Sequence, residues 1–312
     1  MTEPMLVDLV GVGLNATDTL ISLPAYPARG SKVKYRQPSI LPGGQTASAV
    51  MACQTWGLST RYVGKLGNDD AARLHLREFE RAGVDARIVT VPGISSPHSL
   101  VIVDGGGERT VLNLREEAQL LRPEDLERSW ITNARCLLID GLETAAATQA
   151  AVWAHAAGIP VVADLDEMYD GVEDLIVLID YLVVSRDFPT VLTGERNLES
   201  ALRRMKSRYG CAVAAATLGQ EGVIAWDGSQ FHHRPAWFVS VADTTGAGDV
   251  FHAGFIYGLL QGWPLPRLLD FACAAAALNC TAIGARGGIG PIETVENLMA
   301  TASRYALETA TD

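Results

Sequence analysis

The sequence feature that most constrains the fold is the alternation of short apolar segments with longer segments of helical periodicity. Largely apolar runs at 6–12, 160–164, 181–185 and 211–217 predict buried strands, and amphipathic patterns lie before and between them. This order is typical of a parallel sheet whose strands are connected by helices. The sequence therefore predicts an α/β fold with a doubly wound, mostly parallel sheet flanked by helices.

Capping residues and periodicity locate the other elements. One helix is predicted to begin at Asn68 or Asp69 and to end at Gly83. Its apolar residues are Ala72, Leu76 and Phe79. Further strands are predicted at 223–226, 230–233 and 237–241, the first two joined as a hairpin. Further helices are predicted at 144–157, 197–209, 247–262, 265–283 and 293–307.

Two segments, 15–43 and 94–116, interrupt the alternation and contain short strands with polar faces. The second segment includes a turn at Gly105, Gly106 and Gly107. Hairpins that are distant in sequence can pair in one small sheet, so we expect these segments to form a β lid over a cleft. The remaining residues, 1–14, 44–93 and 117–312, would form the α/β core.

Composition excludes several classes of protein. The 312 residues include 25 Lys and Arg against 36 Asp and Glu, a formal net charge of −11, so a nucleic-acid-binding surface is not expected. The five cysteines are scattered and form no CxxC motif, which favours reduced thiols in the cytoplasm. The N-terminus lacks a basic region before its apolar run, and the apolar segment 271–283 is too short to span a membrane. We therefore expect a cytoplasmic enzyme that acts on a small molecule.

The most informative motif is the stretch Asp-Thr-Thr-Gly-Ala-Gly-Asp at 243–249, which precedes a predicted helix. The small residues Gly246, Ala247 and Gly248 allow successive backbone N–H groups to point outward at the helix N-terminus, where they can bind an anion. Asp249 has two interpretations: it compensates the helix dipole, or it accepts a proton from a bound hydroxyl. With the anion site beside it, the second interpretation meets the needs of phosphoryl transfer.

This motif, with Val-Phe-His-Ala-Gly-Phe at 250–255, resembles the C-terminal signature of the ribokinase-like (PfkB) carbohydrate kinases. A second match is the Gly-Gly-Gln-Thr-Ala-Ser-Ala stretch at 43–49, followed by Gly-Lys-Leu-Gly-Asn-Asp at 64–69. The resemblance covers essentially the whole chain. It implies the ribokinase-like fold and transfer of the γ-phosphate of ATP to a sugar hydroxyl, with Mg²⁺ as cofactor. Asp249 would be the base, and Gly246 to Gly248 the anion hole.

The resemblance also implies roles for other residues. Sugar-binding positions would be Asp18, Gly43, Gly44 and Gln45. Nucleotide-binding positions would be Ser185, Thr217, Gly219, Gly222, Ala275 and Asn279, the last two on a helix that flanks the adenine. The monovalent-cation site of some members, which binds K⁺, would correspond to Asp243, Thr245 and carbonyl groups of 282–288, including Gly288.

Two departures from the family pattern affect these expectations. The family often has Asn-x-x-Glu where this chain has Ser-Arg-Asp-Phe at 185–188, a pattern closer to the ketohexokinase-like and sulfofructose-kinase-like branches. The missing glutamate weakens any Mg²⁺ role carried over to this segment. Gln45 and Ser48 replace asparagines that many sugar kinases have, so hydroxyl recognition is expected to differ.

Other candidate residues come from residue chemistry. Asp164 and Asp166, at the end of a predicted strand, either contribute to an Mg²⁺ site or form a turn. Arg109 and Arg115, with Asn113 between them, flank the last lid strand and either bind an anionic tail of the sugar or are solvated edge-strand residues. We expect His252 to be a packing residue. We expect the adjacent His232 and His233 to point to opposite faces of a hairpin and not to share a metal.

The alternatives are less well supported by the sequence. Gly11-x-Gly13-x-x-Ala16 superficially matches a dinucleotide-binding fingerprint, but basic residues occupy the region where an acidic residue is needed. A P-loop motif is absent from the sequence. The leading hypothesis is a kinase for the primary hydroxyl of a ketose or furanose, with or without an anionic tail. A ribose or nucleoside kinase, and a catalytically silent sensor of nucleotide or sugar, are the alternatives. A projecting lid also predicts a homodimer that covers its apolar face.

Overall fold

The computed structural model describes residues 5–105 and 109–306, with the side chain of Arg109 outside that description. The strands in this part of the chain are β1 (Val7–Val12), β2 (Ala16–Ser22), β3 (Ser39–Gly43), β4 (Thr60–Leu66), β5 (Asp85–Thr90), β6 (His98–Val103), β7 (Arg109–Leu114), β8 (Ala134–Ile139), β9 (Val161–Leu165), β10 (Tyr181–Ser185), β11 (Val213–Thr217), β12 (Val223–Trp226) and β13 (Phe231–Arg234). The α-helices are α1 (Gln45–Thr55), α2 (Asp70–Ala82), α3 (Arg128–Thr132), α4 (Thr144–Ala156), α5 (Val172–Ile176), α6 (Phe188–Thr193), α7 (Leu198–Tyr209), α8 (Ala247–Leu260), α9 (Leu265–Asn279) and α10 (Ile292–Thr301).

Nine strands form the large sheet, in the order β13-β12-β11-β10-β9-β8-β1-β4-β5. Seven of them are mutually parallel, and β12 and β13 extend one edge as an antiparallel hairpin. The chain builds outward from β1 through β4 to β5 and then returns to add β8 to β11 on the other side. The strand order therefore reverses between β1 and β8, and in such sheets ligands bind outside the carboxyl ends of the strands at this switch point. The predicted α/β sheet is confirmed.

Helices cover both faces of the large sheet, which explains why its central strands are mainly apolar. Along β8, Leu137 and Ile139 pack toward α4 and α7, whereas Cys136 and Leu138 pack toward α1, α8 and α9. The alternation of side chains along one strand thus supplies two separate buried clusters. These clusters fix the helices, and with them the loops at the carboxyl edge of the sheet.

The helix caps behave as the sequence predicts. The side chain of Asp69 accepts a hydrogen bond from the backbone N–H of Ala72 at 2.9 Å, and Gly83 ends α2 in the left-handed conformation. The predicted apolar face is partly wrong, because Leu76 is 41% exposed and His75 is buried in its place. The histidine is accommodated by a 2.9 Å hydrogen bond between its Nε2 and the Thr17 hydroxyl.

A separate small sheet has the order β3-β2-β6-β7, so the two interrupting segments do pair with each other. Register places Asp18, Ser99 and Asn113 on one face, turned toward the large sheet. The opposite face carries the exposed side chains of Ile40, Leu112 and Leu114. In the predicted glycine turn between β6 and β7, Gly106 and Gly107 lie outside the described residues.

One predicted strand and two predicted helix ends are wrong. Residues 237–241 form no strand, because the apolar Trp237 packs on α9 and donates its indole N–H to the Asp270 carbonyl at 3.1 Å, instead of extending the sheet. Helix α9 ends at Asn279, not at 283, where the chain turns into an irregular loop. Helix α10 ends at Thr301, not at 307. Between 5 and 105 and between 109 and 306, the structure contains no helix with the length and apolar character needed to cross a bilayer.

Candidate active site

A cleft of about 380 Å³ lies between the carboxyl edge of the large sheet and the inner face of the small sheet. The ends of β9, β10 and β11 and the start of α8 form its floor. The predicted residues that line it are Asp18, Gly44, Gln45, Asn113, Arg115, Asp164, Asp166, Ser185, Thr217, Thr245, Gly246, Ala247, Gly248 and Asp249. Residues from seven separate segments of the sequence thus meet in one place.

The start of α8 has the geometry of an anion site. Gly246 is the N-cap, with φ of 76°, and a Cβ there would lie 2.2 Å from the Ala285 carbonyl oxygen, so only glycine fits. A Cβ on Gly248 would meet no atom within 4 Å, because this residue faces the open cleft. The amides of Gly248 and Asp249 lie in the first turn, where a helix has no internal acceptors for its N–H groups. The amide of Ala247 is less free, since it lies 3.3 Å from the Thr244 carbonyl.

Asp249 projects from this first turn into the cleft. Burial raises the pKa of its carboxyl group to about 7, and the charge of Asp164 acts in the same direction. The charges of His252 and Arg286 oppose the increase. A carboxylate with a pKa near neutrality is well matched to accepting a proton from an alcohol, because a large fraction is ionised near pH 7 and the group is still basic.

Asp164 and His252 connect Asp249 to the floor of the cleft. The imidazole of His252 is buried, with Nδ1 at 2.8 Å from the Gly248 carbonyl and 3.3 Å from the Asp164 carboxylate. Its Nε2 lies 3.1 Å from the Val183 carbonyl. His252 therefore does more than pack, because its ring connects α8 to β9 and β10. Burial and the nearby charges of Asp166 and Asp140 raise the pKa of Asp164 well above its usual value.

The small sheet contributes the polar wall of the cleft. Burial raises the pKa of Asp18 to about 6, against the effect of a hydrogen bond with Ser99. The same hydroxyl lies 3.0 Å from the Asn113 side-chain oxygen, so its one proton is shared between the two side chains. Three neighbouring strands therefore present a hydrogen-bonded row of polar side chains. Arg115 follows at the end of this wall with an exposed side chain that lines the cleft.

The two glycines before α1 lie where an added Cβ would collide with a neighbouring group. Gly44 has φ of 93°, and a Cβ there would lie 2.6 Å from the Leu14 carbonyl oxygen. A Cβ on Gly43 would lie 2.3 Å from the Asp18 carboxylate. Gly44 and Gln45 line the cleft, whereas Gly43 lies behind it. Gly43 thus permits the approach of Asp18 to this turn and does not itself face the cleft.

Arg286, which the sequence analysis missed, lies directly behind this turn. Its guanidinium is buried and donates to the Gly43 carbonyl at 2.7 Å and to the Ser48 hydroxyl at 3.2 Å. It also forms an ion pair with Glu78 of α2. One buried cation therefore joins the loop after α9 to α1, α2 and the end of β3. The only sequence signal was an arginine inside an otherwise small, glycine-rich loop.

Asp140 is a second missed residue, at the point where the strand order reverses. Its carboxylate accepts hydrogen bonds from the Leu14 amide at 2.5 Å and from the Thr46 hydroxyl at 2.9 Å. It also accepts from the Leu142 amide at 3.2 Å. These contacts fix the chain where it leaves the large sheet for the small one, so Asp140 positions the wall that carries Asp18.

A second cavity, of about 530 Å³, adjoins the cleft along the C-terminal part of the chain. The predicted nucleotide residues Thr217, Gly219 and Gly222 line it. Its other walls are mainly apolar and come from residues 236–251, from α9 and from the segment after α10. Thr217, Thr244, Ala247 and Gly248 line both the cavity and the cleft, so the two spaces meet at the start of α8.

The predicted contacts of α9 need correction. Helix α9 does form one wall of the cavity, but Ala275 and Asn279 face the protein interior and do not line it. The residues of α9 and its C-cap that line the cavity are Cys273, Ala276, Ala277 and Cys280. Positions 275 and 279 are one turn apart, so both lie on the face turned away from the cavity. Ser185, in turn, lines the cleft and is absent from the cavity wall.

The residues of the predicted monovalent-cation site do come together. The Asp243 carboxylate accepts hydrogen bonds from the Thr245 amide at 2.9 Å, the Thr245 hydroxyl at 2.8 Å and the Gly284 amide at 2.9 Å. The Asn279 side chain donates to the Thr245 and Ala285 carbonyls, both at 3.0 Å. Its oxygen accepts from the Gly288 amide at 3.2 Å, which places Gly288 in the same loop. Protein donors thus already engage this carboxylate and these carbonyls.

Comparison with known proteins defines the class of this chain. The model of the pfkB family carbohydrate kinases matches residues 12–290. The chain therefore belongs to the PfkB family of carbohydrate kinases, and the resemblance seen in the two motifs is confirmed. It is a phosphotransferase that acts on a sugar hydroxyl, and kinases of this family use ATP with Mg²⁺ as the usual partner.

The similar proteins are named for different sugar substrates. The chain is 26% identical over 260 residues to the 5-dehydro-2-deoxygluconokinase of Geobacillus kaustophilus, covering 76% of this chain and 78% of the relative. It is 27% identical over 245 residues to the fructoselysine 6-kinase of Escherichia coli, with 76% and 89% covered. A solved structure of a putative ribokinase from Agrobacterium tumefaciens superposes with a TM-score of 0.87 at 26% identity, over 94% of this chain and 97% of that one. These similarities define a sugar kinase and leave its substrate open.

Proposed function

We propose that this protein transfers the γ-phosphate of ATP to a primary hydroxyl of a small ketose or furanose, with Asp249 as the base. The observation that carries the proposal is the junction of the two cavities. Asp249 faces the polar cleft one residue after Gly248, which lines both spaces. A sugar on one side and a nucleotide on the other would meet at the exposed amides of the helix.

The chemistry follows from that placement. The Asp249 carboxylate removes the proton of the acceptor hydroxyl as the hydroxyl oxygen forms its bond to the γ-phosphorus. The bond from that phosphorus to the β,γ-bridging oxygen breaks, and ADP leaves with the bond's electron pair. Negative charge on the transferred group is stabilised by the amides of Gly248 and Asp249 and by the positive end of α8.

We assign the Mg²⁺-binding role to Asp164 and Asp166. Burial and mutual repulsion raise the pKa of Asp164, so a divalent cation beside the pair would relieve an unfavourable accumulation of negative charge. A bound Mg²⁺ would neutralise charge on the nucleotide phosphates. The assignment predicts that Asp166→Asn needs more Mg²⁺ for half-maximal activity, which a magnesium titration measures directly.

The substrate class is proposed from the polar wall. Asp18 and Asn113 offer acceptors and donors for sugar hydroxyls, and Arg115 offers a guanidinium at the rim of the cleft. This arrangement favours a sugar with an anionic tail, and the relative named 5-dehydro-2-deoxygluconokinase is consistent with it. The side chain of Arg109 lies outside the described residues, so its predicted role remains a sequence-based expectation. Ribose or a nucleoside is the second candidate, because the superposed structure is a putative ribokinase.

We propose that the segments 15–43 and 94–116 act as a lid, which would exclude water from the cleft. Their small sheet exposes Ile40, Leu112 and Leu114 on its outer face, and an apolar face of this kind supports a homodimer through the lid. Sedimentation velocity of the wild type and of Leu112→Glu tests this arrangement. A monomeric wild type would contradict it.

Two further expectations concern the cation and the compartment. Potassium stimulation remains a proposal, supported by the meeting of Asp243, Thr245 and the loop at 282–288. Activity in potassium chloride against choline chloride tests it. Cys53, Cys136, Cys211 and Cys273 form no disulfide bond, which supports the cytoplasm as the place of action.

The decisive experiment is an ADP-release screen with free, phosphorylated and carboxylated ketoses, ribose and nucleosides. Sugar-dependent ADP formation that disappears in Asp249→Asn would support the proposal. A response to nucleosides alone would overturn the choice of substrate class. ATP binding without turnover on the whole panel would favour the silent sensor.

A further inference from the structure

The chain after α10 returns to the segment that precedes the DTTGAGD motif. The Phe238 amide donates to the Ser303 carbonyl at 2.9 Å, and the Tyr305 amide donates to the Ala236 carbonyl at 3.0 Å. These bonds flank an antiparallel bridge between Trp237 and Arg304. Residues 302–306, called the C-terminal strap below, are therefore held on residues 236–238 by backbone hydrogen bonds.

Arg304 anchors the strap. Its guanidinium carbon lies 3.9 Å from the centre of the Trp237 ring, and it donates to the Pro235 carbonyl at 2.9 Å. It also pairs with Asp270 of α9 at 2.6 Å, and Asp270 accepts the Trp237 indole N–H through its backbone carbonyl. A cation held by stacking, a carbonyl and a carboxylate has little freedom to move.

This anchoring places the ring of Tyr305 in the wall of the 530 Å³ cavity. The ring is partly buried and packs against Phe238, with 5.3 Å between ring centroids. Trp237, on the neighbouring segment, lines the same cavity. The strap thus adds an aromatic side chain to a cavity whose other walls come from the core of the fold.

The position of Tyr305 in the cavity indicates what it would contact. The phosphate end is where cavity and cleft meet, at Thr244, Ala247 and Gly248. Tyr305 and Trp237 line the cavity and not the cleft, so they lie away from this junction. An apolar, aromatic wall outside the junction that would hold the phosphates matches a planar purine base and not a charged group.

The loop at 217–222, which contains the predicted nucleotide-binding residues, is in direct contact with the segment to which the strap is bound. Gly222 has φ of 86°, and a Cβ there would lie 1.9 Å from the Arg234 carbonyl oxygen and 2.7 Å from the Ala236 nitrogen. The Ala236 carbonyl is the acceptor for Tyr305. The loop, residues 234–236 and the strap therefore form one continuous packed unit around the cavity.

We propose that the C-terminal strap is part of the nucleotide site, with Tyr305 as a contact for the base and Arg304 as its positioning residue. The inference rests on the proposed ATP-binding function of the cavity. It assigns nucleotide affinity to a segment outside the matched family region, which ends at residue 290.

The test is isothermal titration of the full-length protein with ADP and, separately, with inorganic tripolyphosphate. Tyr305→Ala is expected to weaken ADP binding by about 10-fold, the usual scale for loss of an aromatic contact with a base, and to leave tripolyphosphate binding unchanged. Tyr305→Phe keeps the ring and should bind ADP like the wild type. Arg304→Met should weaken ADP binding by a smaller factor, because the strap loses its anchor while the ring is retained.

Tyr209→Ala is the matched control, since Tyr209 is another partly buried tyrosine and lines neither the cavity nor the cleft. It should leave both affinities unchanged. Equal ADP binding by the wild type and Tyr305→Ala would overturn the inference, as would an equal loss of ADP and tripolyphosphate. If the wild type itself does not bind ADP, the proposed function of the cavity fails instead, and the two failures are distinguishable.

Discussion

The two halves of the site differ in how their walls are made. The cleft, the proposed sugar side, is polar and charged, with Asp18, Asp249 and Asp164 in front of the buried Arg286. The adjoining cavity, the proposed nucleotide side, is lined mainly by apolar and aromatic side chains around glycine-rich turns. The pKa of a buried ionisable group depends on every neighbouring charge, whereas the affinity of an apolar pocket for its ligand depends on how well their shapes fit. Substitutions on the sugar side should therefore alter chemistry and pH dependence, and those on the nucleotide side should alter affinity alone.

The strongest test of this difference is Asp249→Asn. Loss of the base should lower kcat by about 10²- to 10⁴-fold while leaving ADP binding intact. The same change should raise the Tm, because burial raises the folded-state pKa of Asp249 from 3.8 to about 7, so the ionised carboxylate destabilises the fold at neutral pH. Steady-state kinetics and thermal unfolding at pH 8 measure the two effects. Asp70→Asn, at an exposed position, is the control, and a normal kcat in Asp249→Asn would contradict the proposed mechanism.

Arg286→Met tests the buried cation behind the sugar turn. Removing one partner of a buried ion pair typically costs about 3–5 kcal/mol of stability, because Glu78 and the Gly43 carbonyl lose their donor. We also expect a higher KM for the sugar and an unchanged KM for ATP. Arg208→Met removes an exposed arginine that pairs with Glu173 and should have little effect. Denaturant unfolding and the two KM values decide the outcome, and an equal rise in both KM values would remove the distinction between the halves.

The pH profile tests the same side without a mutation. The base must be ionised, so kcat/KM for the sugar should fall below about pH 7, by about tenfold per pH unit. The groups that set this limit are Asp164, His252, Arg286 and Asp18. The charge of Arg286 lowers the pKa of Asp249, so Arg286→Met should move the acid limb to higher pH. An acid limb near pH 4 in the wild type would show that Asp249 is not the titrating base.

A smaller effect is expected from a matched pair of substitutions on α9. Ala276→Val adds two carbon atoms to the cavity wall and should raise the KM for ATP by a factor of about 10, the lower end of the effect of a methylene-sized change in an apolar pocket. Ala275→Val adds the same volume to the packed interior and should lower stability by about 1–3 kcal/mol with no change in KM. The reverse pattern would restore the original prediction that Ala275 flanks the adenine.

Much of the fold could be read from local patterns. The mainly apolar run at 181–185 matches β10 residue for residue, because a strand buried on both faces has few polar positions. The caps at Asp69 and Asn197 place the starts of α2 and α7, since their side chains accept hydrogen bonds from nearby backbone amides. The strand expected at 237–241 fails because an apolar run buried against a helix has the same pattern as one buried in a sheet.

In the candidate site, too, some residues could be predicted from the sequence and others could not. The motif at 243–249 and the glycines at 43–44 were recognisable, because an unusual backbone conformation needs small residues at fixed positions. Arg286 and Asp140 were not, since an arginine or aspartate has the same local signature whether it is solvated or buried. Helix α9 does line the second cavity, but which of its faces reaches that cavity depends on packing against α8.

The sequence by itself determined the α/β class, the two family motifs and the glycine bend that begins α8, because these follow from periodicity, caps and backbone sterics within a few residues. The tertiary structure decided which charges surround Asp249, which face of α9 reaches the cavity and where the chain after α10 lies. Those properties depend on distances between residues far apart in sequence, such as Asp164 with His252 or Ala236 with Tyr305, and only the folded chain defines such distances.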